Sequence, residues 1–195
     1  MSEERHRVIV AGIGGSGAVS VGTLVARAGL SKYKYATRLP NYDTKMRGGA
    51  CECMVTLSNH SIPTPLVYRG DALIILNNSL LESVERAVVP GGFVIMESTG
   101  LTSEVERQDI KLIKVPALET AARMGSPLMA NMILLGAYVQ MTQVFLPRFI
   151  ESELKHRFGA GESGAAGPEK ENVLALNIDA FRWGFESTWV VGEAS

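Results

Sequence analysis

Cysteine is almost missing from this chain: Cys51 and Cys53 are the only two among 195 residues. In a strand, a Cys-x-Cys pair points both thiols to the same face. No disulfide framework is indicated, and two thiols fall short of the ligand set of an iron–sulfur cluster. They are expected to be small buried core residues. Histidine is scarce as well: His6, His60 and His156 lie far apart, without metal-ligand spacing. Neither a Gly-x-Ser-x-Gly elbow nor a phosphate loop with its lysine occurs, so no catalytic residue and no metal ligand is assigned. Lys and Arg number 19 against 20 Asp and Glu, a net charge of −1. No basic field exists to attract nucleic acid. The longest apolar runs, such as Ala72–Leu76 and Ile133–Ala137, are too short to span a bilayer. The N-terminal residues lack a signal-peptide pattern, so a cytoplasmic location is expected.

What is present is ordinary globular material, 46% hydrophobic and 20% charged. Strands and helices alternate. Arg7–Ala11 reads as a strand, Gly15–Leu30 as a helix with apolar Ala18, Val21, Leu24, Val25 and Ala28, and Tyr35–Arg38 as a short second strand. Residues 39–49 read as a loop. Over Ala50–Leu57 the pattern alternates, with Cys51, Cys53, Val55 and Leu57 on one face and Glu52, Met54 and Thr56 on the other. Asp71–Leu76 suits a central strand. Asn77–Ser79 caps a helix over Leu80–Val88, Pro90–Gly92 turns, and Phe93–Met96 and Ile110–Val115 are further strands. Helices are expected from Pro116 to Met124, Pro127 to Val144, Leu146 to Phe158 and Pro168 to about Ser187, with a flexible Gly-rich loop at 159–167. The class is α/β: a single three-layer α/β/α domain over residues 1–195, with a Rossmann-like mixed sheet and helices on both faces.

Two segments carry the candidate chemistry. Gly12-Ile-Gly14-Gly15-Ser16-Gly17 follows a strand and opens a helix, where unpaired N–H groups and a partial positive charge receive a phosphate. A dinucleotide site also wants an acid about 20 residues on, yet no Asp or Glu stands between Glu4 and Asp43. Arg38 is the candidate contact for a 2′-phosphate, which keeps a stand-alone NADP-binding protein as an alternative. A tight structural turn is the other. The second segment, 42–49, sets Arg47 beside Gly48 and Gly49, an anion clamp with close backbone approach or a contact to another subunit. Glu97 and Glu119 are assigned to structural salt bridges.

In order along the chain, these segments resemble the gamma-type subunit, or the equivalent domain, of 2-oxoacid:ferredoxin oxidoreductases. The Val8–Val19 opening is similar to the family's Gly-rich start, which often has Gln where Ser16 stands. Leu39–Val55, centred on Met46-Arg47-Gly48-Gly49, is similar to its most distinctive block, although Asp43-Thr44-Lys45 departs from the usual form. Asp71–Asn77, Val115–Ala117, Ala130–Ala137, Glu171–Asn177 and Ala180-Phe181 follow in the family's order. The resemblance implies an oxidoreductase that decarboxylates a 2-oxoacid on thiamine diphosphate, passes electrons through iron–sulfur clusters to ferredoxin and forms an acyl-coenzyme A. Thiamine diphosphate would lie on alpha- and beta-type partner subunits and the clusters on other chains or domains, with a delta-type subunit as a further candidate partner. This chain binds no cofactor covalently. It would cover the active-site region and contact coenzyme A through Gly12, Gly14, Gly15, Ser16, Gly17, Arg47, Gly48 and Gly49. The Ala130-Asn131-Met132 segment favours the 2-oxoglutarate or branched-chain types over pyruvate, and 2-oxoglutarate is the favoured 2-oxoacid. A purely structural subunit is the remaining alternative. A partner-facing apolar patch is expected, with homo-oligomer formation by the isolated chain as its consequence.

Overall fold

A computed structural model describes residues 5–42, 50–101, 105, 107–158 and 168–192. Strand β1 (Arg5–Ile13) is followed by helix α1 (Ala18–Gly29), then β2 (Tyr35–Tyr42), β3 (Ala50–Ser58) and β4 (Gly70–Ile75). A short helix α2 (Leu81–Val84) leads to β5 (Val88–Glu97) and β6 (Lys111–Val115). Four helices complete the chain: α3 (Ala117–Arg123), α4 (Ala130–Thr142), α5 (Arg148–Phe158) and α6 (Pro168–Glu186). The six strands form one sheet in the order β2-β3-β1-β4-β5-β6. Only β3 runs against its neighbours, antiparallel to both β1 and β2, while β1, β4, β5 and β6 are mutually parallel. The α/β class and the mixed sheet are therefore as the sequence pattern indicates.

The continuous apolar run 72–76 lies in the sheet centre because β4 is covered on both faces: Ile74 packs with the α1 side and Leu73 and Ile75 with the other. The helices divide unequally. Helices α1, α3, α4, α5 and α6 join Val8, Val10, Cys53, Val55 and Ile113 in the larger core. Among the described residues the opposite face carries one helix, α2, through Leu81 and Val84, together with Val67, Val105 and Ile110 from connecting segments. Helix α4 is apolar on every side and buried from Met132 to Val139. It meets α6 closely enough that a Cβ on Gly136 would lie 2.2 Å from the Phe181 carbonyl oxygen.

Several boundaries differ from the sequence reading. Strand β2 continues through residues 39–42, which read as loop. Proline is tolerated at Pro40 because β2 is the sheet edge and its lost N–H would face outward. The helix read over Leu80–Val88 is instead a 3-10 turn at Asn78–Leu80, one turn of α2 and a second 3-10 turn at Glu85–Ala87, after which Val88 opens β5. The turn read at Pro90–Gly92 is an irregularity inside β5, where Gly91 takes φ +74 and its N–H bonds to the Asp109 carbonyl. Pro127–Met129 is a 3-10 turn ahead of α4, and Gln143 ends that helix in the left-handed conformation. The loop at 159–167 lies outside the described residues. Among the described residues no helix is long and apolar enough to cross a membrane.

Candidate functional site

One rim of the sheet gathers the carboxyl ends of β1, β2, β4, β5 and β6 with the amino end of β3. The glycine turn stands at this rim. Ile13 pairs with Ala50 and Tyr42 with Cys51, so the two ends of segment 43–49 are anchored on the strands next to the turn. Arg47, Gly48 and Gly49 themselves lie outside the described residues.

Within the turn each residue has a distinct part. Gly12 closes β1, and a Cβ there would collide with the Ser16 hydroxyl. Gly14 is exposed at the tip. The Ser16 N–H bonds back to the Ile13 carbonyl at 3.0 Å, closing the turn. Its Oγ is packed inward without a hydrogen-bond partner. Gly15 and Gly17 take φ +91 and +89, a left-handed conformation that costs an L side chain about 1–2 kcal/mol. Around Gly15 there is open space, whereas Gly17 abuts the Asn131 amide. Asn131, at the start of α4, donates from Nδ2 to the Ser16 carbonyl at 3.3 Å and ties the turn to a second element.

Helix α1 begins directly behind, and its first intrahelical bond runs from the Val21 N–H to the Gly17 carbonyl. The N–H groups of Ala18, Val19 and Ser20 precede that bond and face the rim, the usual basis of anion affinity at a helix start. Arg157, near the end of α5, donates to the Ser20 Oγ at 3.3 Å and lines a groove of about 440 Å³ with Arg27 and His156. A guanidinium therefore stands one turn from the glycine turn. Neither Arg157 nor Asn131 was legible as a site residue, since each is brought from more than a hundred residues away.

Two expectations about ionisable residues resolve differently. Glu119 does pair with Arg123, one helical turn on. Glu97 is 1% exposed and forms no salt bridge among the described residues. Its carboxylate accepts the Thr99 N–H and, at 2.8 Å, the Leu118 N–H, pinning the carboxyl end of β5 to the start of α3. Arg38 is separated from the glycine turn by the whole of β3. In a dinucleotide fold the second strand lies beside the first and carries the ribose contact at its tip. Here that neighbouring place is taken by an antiparallel strand, which counts against the NADP alternative.

The thiols are buried as expected. Cys53 packs against Gly22 of α1, and burial pushes its thiol up to about 11; burial raises Cys51 too, followed by the nearby Glu52 charge. Buried, protonated thiols facing a helix do not fit the thiolate ligation of a cluster. Among the described residues no three His, Cys, Asp or Glu side chains are grouped to hold a metal.

With this geometry in place, comparison with known proteins decides the family. The sequence profile described as pyruvate ferredoxin/flavodoxin oxidoreductase matches residues 7–187. The chain belongs to this family. It is similar to the ketoisovalerate oxidoreductase subunit VorA of Methanothermobacter thermautotrophicus, 33% identical over 92% of this chain but 36% of the relative. It is also similar to the 2-oxoglutarate synthase subunit KorC of the same organism, 29% identical over 90% of this chain and 94% of the relative. The chain thus spans about a third of one such relative and nearly all of the other. Among solved structures, the gamma subunit of a keto/oxoacid ferredoxin oxidoreductase from Geobacter sulfurreducens superposes with a TM-score of 0.74 at 26% identity, covering 93% of this chain and 96% of that one. In this oxidoreductase family chain, the glycine turn brings backbone donors at the carboxyl edge of the sheet near a guanidinium from another element.

Proposed function

We propose that this chain is the gamma-type subunit of a 2-oxoacid:ferredoxin oxidoreductase, and that its glycine turn receives a phosphate group of coenzyme A. The observation that carries the second part is the α1 start, where open backbone donors follow a turn held rigid by Asn131, with Arg157 beside it. Thiamine diphosphate then belongs to alpha- and beta-type partner subunits and the iron–sulfur clusters to partner chains or domains, and ferredoxin is reached through the assembled complex. This chain contributes no catalytic residue; it binds, orients and covers. Full-length similarity to a 2-oxoglutarate synthase subunit supports 2-oxoglutarate as the oxoacid. Similarity to a ketoisovalerate subunit supports a branched-chain 2-oxoacid as the second reading.

The test uses the assembled complex. Losing one charge-assisted contact costs about 1.5–3 kcal/mol, roughly ten- to a hundredfold in affinity. Arg47→Ala is expected to raise the apparent KM for coenzyme A by about that factor. Arg157 is exposed and is expected to contribute about three- to fivefold on replacement by Ala, in line with screened surface charges. Decarboxylation measured without coenzyme A should hold nearly constant in both variants. Unchanged coenzyme A kinetics in both would rule out the phosphate site, and failed assembly in Arg47→Ala would make that residue an interface residue.

A further inference from the structure

The rim opposite the glycine turn carries a second concavity. Helix α4 begins at the turn through Asn131 and ends at the far rim, where α1 also ends. Between the end of α1 and the connection from α4 to α5 lies a groove of about 390 Å³, lined by Ser31, Lys32, Gln143, Phe145, Leu146, Arg148 and Phe149. Its chemistry is one-sided. Phe145 is buried and Phe149 half-buried, so the aromatic floor is fixed. Two cations, Lys32 and Arg148, line the groove as well, and among the described residues no carboxylate does. Among the described residues neither Lys32 nor Arg148 has an ion-pair partner. Each instead lies over the ring of the next residue, Tyr33 or Phe149. The rim is apolar: Leu146 is 50% exposed and Leu30, beside Ser31, is 56% exposed.

We propose that this groove docks an acidic polypeptide segment of a partner protein, with its carboxylates on Lys32 and Arg148 and an apolar side chain against Phe145 and Phe149. Charge complementarity selects an anion, since both charged groups that line the groove are cations and neither has an ion-pair partner among the described residues. The rim selects a polypeptide over a small carboxylate. A molecule filling only the groove leaves Leu30 and Leu146 in water, while a chain crossing it covers both and completes an apolar centre with a charged border. The site is independent of the glycine turn, so a partner held here leaves the coenzyme A edge open.

The experiment is an amide-resonance titration of the full chain with an acetylated, amidated peptide Asp-Glu-Phe-Asp-Glu-Leu. Its counterpart with lysine at every acidic position and sodium hexanoate serve as comparisons. The acidic peptide is expected to shift resonances at residues 30–32 and 143–149, with affinity falling as salt rises. The double variant Lys32→Glu/Arg148→Glu should weaken it at least tenfold, and Leu146→Asp, which leaves both cations in place, at least threefold. All three positions are on the surface, so a folded spectrum elsewhere is expected. No binding by the acidic peptide, shifts confined to other residues, or equal binding of the lysine peptide would each overturn the proposal. Hexanoate reproducing the full set of shifts at comparable affinity would replace it with a small-carboxylate site.

Discussion

The sharpest test of the turn's architecture is Gly17→Ala. The added methyl group meets two separable obstacles. The residue sits at φ +89, where an L side chain costs about 1–2 kcal/mol. The new Cβ would also fall 2.3 Å from the Asn131 Nδ2, so the amide must swing aside and give up its bond to the Ser16 carbonyl. A part-buried hydrogen bond of this kind contributes about 0.5–1.5 kcal/mol. The single variant should therefore lose about 2–3 kcal/mol in urea unfolding at an unchanged m-value. Asn131→Ala alone removes only the hydrogen bond, about 1 kcal/mol. The double variant should cost no more than Gly17→Ala by itself, because the bond can be lost only once. Gly15→Ala, at φ +91 with open space around it, isolates the conformational part at about 1–2 kcal/mol. Additive losses in the double variant, or a Gly17→Ala cost below that of Gly15→Ala, would refute the assignment of Asn131 as the lock on this turn.

Two further predictions follow from buried contacts. His6 bonds to the Tyr138 hydroxyl at 2.8 Å, and burial lowers its pKa to about 4, partly offset by the Asp71 charge. The unfolded chain takes up a proton near pH 6.5 and the folded one only near 4, so stability is complete above pH 6.5 and declines as pH falls between the two. The loss reaches about 3 kcal/mol; melting temperature against pH should flatten over that window in His6→Gln, and an unchanged slope would exclude His6 as the cause. Gly136→Ala should destabilise, because its Cβ meets the Phe181 and Phe185 backbone of α6, which has no rotamer to give way. Overpacking costs about 1–3 kcal/mol or more, against a gain of about 1 kcal/mol from helix propensity; a rise in urea midpoint would show that α4 and α6 are not packed this closely.

Local patterning determined much of this protein. The Gly-x-Gly-x-x-Gly turn between a strand and a helix, the central strand at 72–76, the alternation of residues 50–57 and the helical periods could be read directly, because each depends on neighbours within a few residues. The family resemblance rested on the same local segments in order. Where the reading slipped, a distant partner had overruled local preference. Pro40 is a strand residue only because β2 lies at the sheet edge. Pro90–Gly92 stays in β5 because β4 pairs across the irregularity. Tertiary structure alone decided that β3 inserts antiparallel between β2 and β1, which takes Arg38 away from the glycine turn and brings Ala50, where segment 43–49 ends, beside it. It also carried Asn131 to that turn and Arg157 to the first turn of the helix behind it, sent Glu97 to a backbone donor of α3, and brought Lys32 and Arg148 to one groove. These are contacts between residues far apart in the chain, fixed by how whole faces of sheet and helix bury one another, and no short window of sequence contains both members of such a pair.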